Sequence, residues 1–298
     1  MNKADRFRKE TLGRSLVTLA GLFIILLTLA IGAFLVYRGS ATFFVDKHNI
    51  FEFLFSSDWE PAQQGSGGKV GAAIFLVGSI FISGLALLIA LPFSIAAAVF
   101  MTEISPNFGN MLLQPAIEIF VGIPSVVYGW VGLTVLVPWI AKVFSLAYGY
   151  SVLAGAIVLA VMIFPTITSV SADAIRSVPS EYREAAYGLG STRWQMIYKV
   201  ILPTAAPGIL TGVVLGLARA FGEALAVSMV IGKMQAFPTS VLSPTTNLTA
   251  EITADMGNTT TGSEWNNAIW SMALLLFIIS FLFILLIRLI GKVGNKTK

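Results

Sequence analysis

The chain has no cysteine and one histidine, His48. Disulfides and thiolate metal sites are therefore excluded, and a histidine-rich metal cluster has no second ligand of its kind. Charge is scarce too. Asp, Glu, Lys and Arg make up 11% of the 298 residues, against about 25% in an ordinary soluble domain. Hydrophobic residues reach 56%, more than the interior of a soluble fold of this length can hide; the solvent that accommodates them is lipid. A nucleotide-binding loop of the form Gly-x4-Gly-Lys-[Ser/Thr] is also missing. Around Gly67-Gly68-Lys69, Gln63 stands where the first glycine belongs and Val70 where the hydroxyl belongs; around Gly291-Lys292, Leu286 and Val293 do the same. Any ATP-driven work falls to another chain, although ion-coupled carriers lack this loop as well. The net charge of +4 does not indicate nucleic acid, because the basic residues flank oily runs instead of clustering on a polar domain.

What is present is a succession of long apolar stretches. A helix needs about 20 residues to cross roughly 30 Å of hydrocarbon. Six stretches qualify, near 12–37, 70–100, 112–140, 148–171, 203–232 and 266–290. They predict an all-α, polytopic membrane protein with six transmembrane helices. Pro115, Glu118, Pro124 and Gly129 interrupt the third stretch. Pro92, Pro124 and Pro165 bend their helices, either as static kinks or as part of a gate. The first stretch follows a basic start, but it is too long for a signal-peptide core and lacks an Ala-x-Ala cleavage site, so it reads as a retained helix.

The basic residues orient the chain. Five Lys or Arg precede span one, four lie between spans four and five, and four lie near or after the end of span six; the intervening segments hold Arg38, Lys47, Lys69, Lys142 and Lys233. This asymmetry predicts both termini in the cytoplasm of a cell whose inner membrane the chain crosses. The chain then divides into 1–69 (first helix and outside loop), 70–291 (a core of five spans with a cytoplasmic loop at about 172–202) and a cytoplasmic tail, 292–298. Two outside loops are long. Residues 38–69 carry Asp46, Glu52, Asp58, Trp59 and Glu60, and residues 233–264 carry Glu251, Asp255 and Glu264. Docking of an external partner and simple solvation both fit these loops. Glu103, in a turn beside Pro106, reads as a solvated loop residue.

The loop at 172–202 is the one polar stretch with its own pattern. Ser180 suits a helix N-cap, with Glu181 and Glu184 near the positive end of the dipole. Ala185 and Ala186 are small helix formers, Gly188 and Gly190 permit a tight turn, and Thr192 with Gln195 fits a capping box. Trp194, Ile197, Val200 and Ile201 would form the apolar face of a second short helix. Two readings follow: a handle gripped by a partner, or an amphipathic connector resting on lipid.

Glu184-Ala185-Ala186, Gly190 and Val200-Ile201-Leu202-Pro203 resemble the signature loop of ABC-importer permease subunits, with Val200 where that family usually has Ile. The resemblance extends over nearly the whole chain. Gly122-Ile123-Pro124-Ser125-Val126-Val127-Tyr128-Gly129, Ala218-Arg219-Ala220-Phe221-Gly222-Glu223-Ala224 and the long loop 38–69 look like the phosphate-import permeases of that family. The resemblance implies the type I permease fold. It implies that Glu184, Ala185, Ala186, Gly190, Leu202 and Pro203 belong to a coupling loop that inserts into an ATPase. Further partners it implies are a homologous second permease, two copies of the ATP-binding subunit and an extracytoplasmic phosphate-binding protein, with inorganic phosphate as substrate and no cofactor. The same machine for sulfate or molybdate, and an ion-coupled secondary carrier, are the alternatives.

Arg219 and Glu223 lie inside the fifth predicted span, four residues apart, where a continuous helix would put them on one face as a pair. A charge at mid-bilayer costs about 2.5–3.5 kcal/mol on insertion scales, so the pair should face the bundle interior or a wet path. The guanidinium fork suits phosphate oxygens. One reading places Arg219 and Glu223 on an anion pathway; the other is a buried pair that fixes helix register. Glu118, near the cytoplasmic end of span three, fits the pathway or local helix packing. Gly212 and Gly216 permit close helix contact on span five.

Overall fold

Six helices of the computed structural model are long and apolar enough to cross a membrane. The structure describes residues 3–63, 65 and 67–295. The six run Gly13–Phe44, Ala73–Ile104, Ser125–Val143, Val152–Arg176, Arg193–Gly222 and Glu264–Ile290, here called spans one to six. The chain is an all-α polytopic membrane fold; its only sheet among the described residues is a two-stranded ribbon, Trp59–Glu60 against Lys69–Val70.

Span four is the central post. In its most apolar window 67% of residues are buried, against 0% in spans one and six. Ile82, Ala86 and Ala90 of span two share one core with Leu159, Ile163 and Ile167 of span four. Small residues bring span five against the same post. A Cβ on Gly216 would lie 2.6 Å from Ile167 Cγ1, and one on Gly212 would lie 3.1 Å from Val170 Cβ. Span one packs on span six, where Gly32 faces the Phe277 ring and Arg38 lies 5.4 Å over Trp270 while donating to Asn266 Oδ1 at 2.8 Å. The large apolar side chains from Leu16 to Leu29 are exposed on span one, as a lipid-facing helix requires.

Two spans depart most from the sequence reading, each for a local reason. The third stretch is two helices, Gln114–Gly122 and Ser125–Val143, not one. Pro124 has no N–H, and its ring pushes Ile123 into an extended conformation (φ −71°, ψ 128°). Span five is shifted toward its N-terminus. It begins at Arg193, passes through a π-helical turn at Ile197–Ile201 and ends at Gly222, with Glu223 already extended (φ −78°, ψ 124°). Residues 223–232 therefore fall outside the span, with a separate short helix at Leu225–Ser228.

Each end of the bundle has its own apolar cluster. At one end Ala98 and Val99 of span two meet Ile175, Ala186, Met196, Ile197 and Ile201. At the other, Phe53, Trp59 and Val70 of the long loop meet Phe75, Leu248, Ile269 and Met272.

Candidate functional site

The connector between spans four and five folds as two helices, Ser180–Gly188 and Arg193–Met196. The capping box forms in both directions: the Gln195 N–H donates to Thr192 Oγ1 at 3.3 Å, and the Thr192 N–H donates to Gln195 Oε1 at 2.9 Å. Gly190 takes the left-handed backbone (φ 75°) that turns the chain between them. Ser180 is not the cap. Pro179 occupies that position with no side-chain bond, so Ser180 is already in the first turn. The second helix runs on into span five instead of standing alone. Met196, Ile197 and Ile201 are its buried face; Trp194, expected there, is 64% exposed.

Of the coupling-loop residues, Ala186 packs on the bundle while Glu184, Ala185 and Gly190 face outward. Leu202 and Pro203 follow the π-helical turn and open the α-helical part of span five. Tyr182, Tyr187, Leu189 and Trp194 are also exposed. The outward face thus offers a carboxylate, a small residue that permits close approach, and four large side chains.

Glu103 corrects the sequence reading most sharply. It is buried at 8% exposure, not solvated. Span two continues past Val99 through a π-helical turn, Phe100–Ile104, which carries Glu103 inward beneath the connector. There Arg183 meets it: Nη2 donates to Glu103 Oε1 at 2.6 Å and Nε at 3.1 Å. The same guanidinium donates to the carbonyls of Val178 (2.7 Å) and Ile175 (3.1 Å) at the end of span four. Arg193, from the second connector helix, donates to the carbonyl of Glu103 and to that of Ile104, the latter at 2.9 Å. Removing one member of so buried a pair typically costs about 3–5 kcal/mol, because the other charge is stranded. One signal in the sequence pointed here: a lone carboxylate just beyond an oily helix needs a partner if the helix continues.

Arg219 is half-buried near the end of span five, where its Nη1 donates to Thr166 Oγ1 of span four at 2.9 Å. Tyr128 of span three donates to the Phe120 carbonyl at 2.8 Å, bridging the Pro124 break. The expected Arg219–Glu223 ion pair does not form among the described residues. The helix ends between the two residues, so the four-residue spacing no longer sets a shared face. Glu223 instead accepts the Ala226 N–H at Oε1 (3.1 Å), and its backbone carbonyl accepts from Thr249 Oγ1 (2.6 Å). Glu118 is exposed on the helix before the break, accepting from Gln114 Nε2 at 3.1 Å, and makes no ion pair with Arg219.

At the opposite end, two acidic residues of the long loops are neither solvated nor on a docking surface. Glu264 is 1% exposed. Its oxygens accept the N–H groups of Ala62 (2.8 Å), Gly67 (3.0 Å) and Gly68 (2.9 Å), and His48 Nε2 lies 2.7 Å away. The first long loop is thereby fastened to the start of span six. Glu251, on the helix Leu248–Asp255, accepts from Gln235 Nε2 at 2.6 Å and from Thr246 Oγ1 at 3.4 Å. Burial first, and the neighbouring Asp255 second, raise its carboxyl to about 7.

The broken third span, the half-buried cation and the exposed two-helix connector define a polytopic bundle arranged as a transport subunit. Solved structures share the fold. A bacterial ABC transporter importing the acidic polysaccharide alginate superposes with a TM-score of 0.61 at 16% identity over 98% of each chain. An inward-facing methionine ABC transporter gives 0.54 at 18% identity over 72% of this chain and 93% of that one. Residues 90–293 match the family described as binding-protein-dependent transport system inner membrane component. The chain belongs to this family: it is a permease subunit of an ABC-type import system. Among its relatives, a probable ABC transporter permease protein of Bacillus subtilis, YqgH, is 52% identical over 98% of this chain and 94% of its own length. The phosphate transport system permease protein PstC of Pasteurella multocida is 34% identical over 99% and 97%. That of Haemophilus influenzae is 34% identical over 83% and 82%.

Proposed function

We propose that this permease subunit belongs to an ATP-driven importer of inorganic phosphate and forms half of its translocation pathway. The observation that carries the reading is Arg219. It is a half-buried guanidinium held by one hydroxyl and not neutralised by Glu223. Such a group needs an anion or water, and its remaining donors match a tetrahedral oxyanion. Similarity along almost the whole chain to named phosphate permeases supports the choice of phosphate. Glu223 is anchored at the helix break beside the proposed route, and Glu118 lies at the mouth of that route nearest the connector. The distribution of basic residues supports a cytoplasmic side for the connector and both termini.

The mechanism we propose is supported by the family membership and by the lack of a nucleotide-binding loop in the sequence. A homologous second permease completes the pathway, and two ATPase copies grip one connector from each permease. An extracytoplasmic phosphate-binding protein delivers the anion to the long-loop end. ATP binding draws the ATPases together, displaces the connectors and turns the Arg219 region outward; hydrolysis resets it. The test is purification of the tagged chain with its associated subunits, then ATP-dependent uptake of radiolabelled phosphate in vesicles, with sulfate as competitor. Recovery of an ATPase and a second permease, with uptake that excess sulfate leaves unchanged, supports the reading. Uptake by this chain alone without ATP would overturn it.

A further inference from the structure

Span two has no covalent link to the connector. Spans four and five do: the connector follows one through Ser177–Pro179 and runs into the other through the turn at Ile197–Ile201. A displacement of the connector therefore reaches spans four and five along the backbone, but reaches span two only through side chains. Apolar contact alone is a poor joint for that purpose, because it is non-directional and permits sliding.

The side chains present are not apolar alone. Arg183 on the first connector helix holds the Glu103 carboxylate of span two, the Ile175 carbonyl of span four and the Val178 carbonyl just beyond it in one guanidinium fork. Arg193 on the second helix holds the last-turn carbonyls of span two, Glu103 and Ile104, which have no partner within the helix. A cation at a helix C-terminus is also favoured by the dipole. The side chains of Arg183 and Glu103 are 24% and 7% exposed, so water screens the pair little. Both connector helices thus converge on one residue at the end of span two. Buried polar pairs of this kind fix register where apolar surfaces would slip.

We propose that Glu103, Arg183 and Arg193 form the joint that makes span two move with the connector, with the three as positioning residues for transport. The proposal rests on the reading of the connector as the segment an ATPase drives. Span two packs along span four, whose Thr166 holds Arg219, so the joint lets span two move together with the two spans that hold this group.

The absence of cysteine makes the test direct. Cysteines replace the exposed Asn107 and Ser180, carry spin labels, and report the distance between the end of span two and the connector in the assembled importer. With Glu103 and Arg183 intact, that distance stays constant between nucleotide-free and ATP-bound states. In Glu103→Gln or Arg183→Gln it changes with nucleotide. Phosphate taken up per ATP hydrolysed then falls by at least about fivefold, the low end of ordinary coupling factors, while the amount of assembled complex is retained. Arg183→Lys gives an intermediate loss, because an ammonium cannot fork between a carboxylate and two carbonyls. An unchanged distance and unchanged uptake per ATP in Glu103→Gln overturn the joint and leave the importer reading standing. So does a loss of uptake that only tracks the loss of assembled complex. Failure of any ATPase to assemble with the unmodified chain overturns the importer reading itself.

Discussion

Arg183 and Glu103, 80 positions apart in the chain, meet at 2.6 Å beneath the bundle and join the connector to a span it does not touch through the backbone. The pair explains why an acidic residue can sit buried at the end of an oily helix. It also fastens the connector to the end of span two.

The pair predicts an asymmetric thermal-stability result. Glu103→Ala should destabilise the purified complex by about 3–5 kcal/mol by stranding Arg183, whereas the double change Glu103→Leu with Arg183→Met should be far milder. A double-mutant cycle on melting temperature measures the difference, and additive effects would contradict direct pairing.

Among the described residues Thr166 is the one side chain that holds Arg219, so Thr166→Val should matter although it carries no charge. A hydrogen bond to a charged group contributes about 1.5–3 kcal/mol. Loss at the lower end weakens the apparent affinity for transported phosphate by about tenfold. Thr166→Ser keeps the hydroxyl and should restore it; equal defects in the two variants would remove Thr166 from the site.

Glu251 predicts a pH effect at the long-loop end. Its folded carboxyl is raised to about 7 from an ordinary 4.5, by burial and by Asp255. The stability it contributes is complete below pH 4.5 and is lost as pH rises through about 7. The helix Leu248–Asp255 should therefore open more readily at pH 8 than at pH 5, and Glu251→Gln should flatten that dependence. Amide hydrogen exchange in this helix, corrected for the intrinsic rate, reads it out.

Glu264→Ala should loosen the first long loop without touching the bundle core. Three N–H groups lose their acceptor, each at a cost on the order of 1–3 kcal/mol where water cannot replace it. Exchange at Ala62, Gly67 and Gly68 should quicken while span four stays protected. Unchanged exchange at the two glycines would show that Glu264 is not what fastens the loop.

The six spans and the capping box were legible because hydropathy and helix capping are local signals. The break at Ile123–Pro124 was half-legible: proline marked an interruption, but only the surrounding packing decides between a kink and a full stop. The end of span five at Gly222 was not legible, since Ala226, Val227 and Val230 continue the apolar run although they pack as a separate segment. That misreading produced the Arg219–Glu223 pair. The Glu103–Arg183 and Glu264–His48 contacts join positions 80 and 216 residues apart, and no local periodicity encodes such pairs. The exposure of Trp194 has the same origin, because the face a short helix buries depends on the span it runs into.

The account turns on an anion route past Arg219, and one substitution tests it most directly. In vesicles holding the complete importer, Arg219→Ala should leave the subunits assembled and ATP hydrolysis present, yet abolish or strongly reduce phosphate uptake. Uptake at the unmodified rate in that variant would contradict the route.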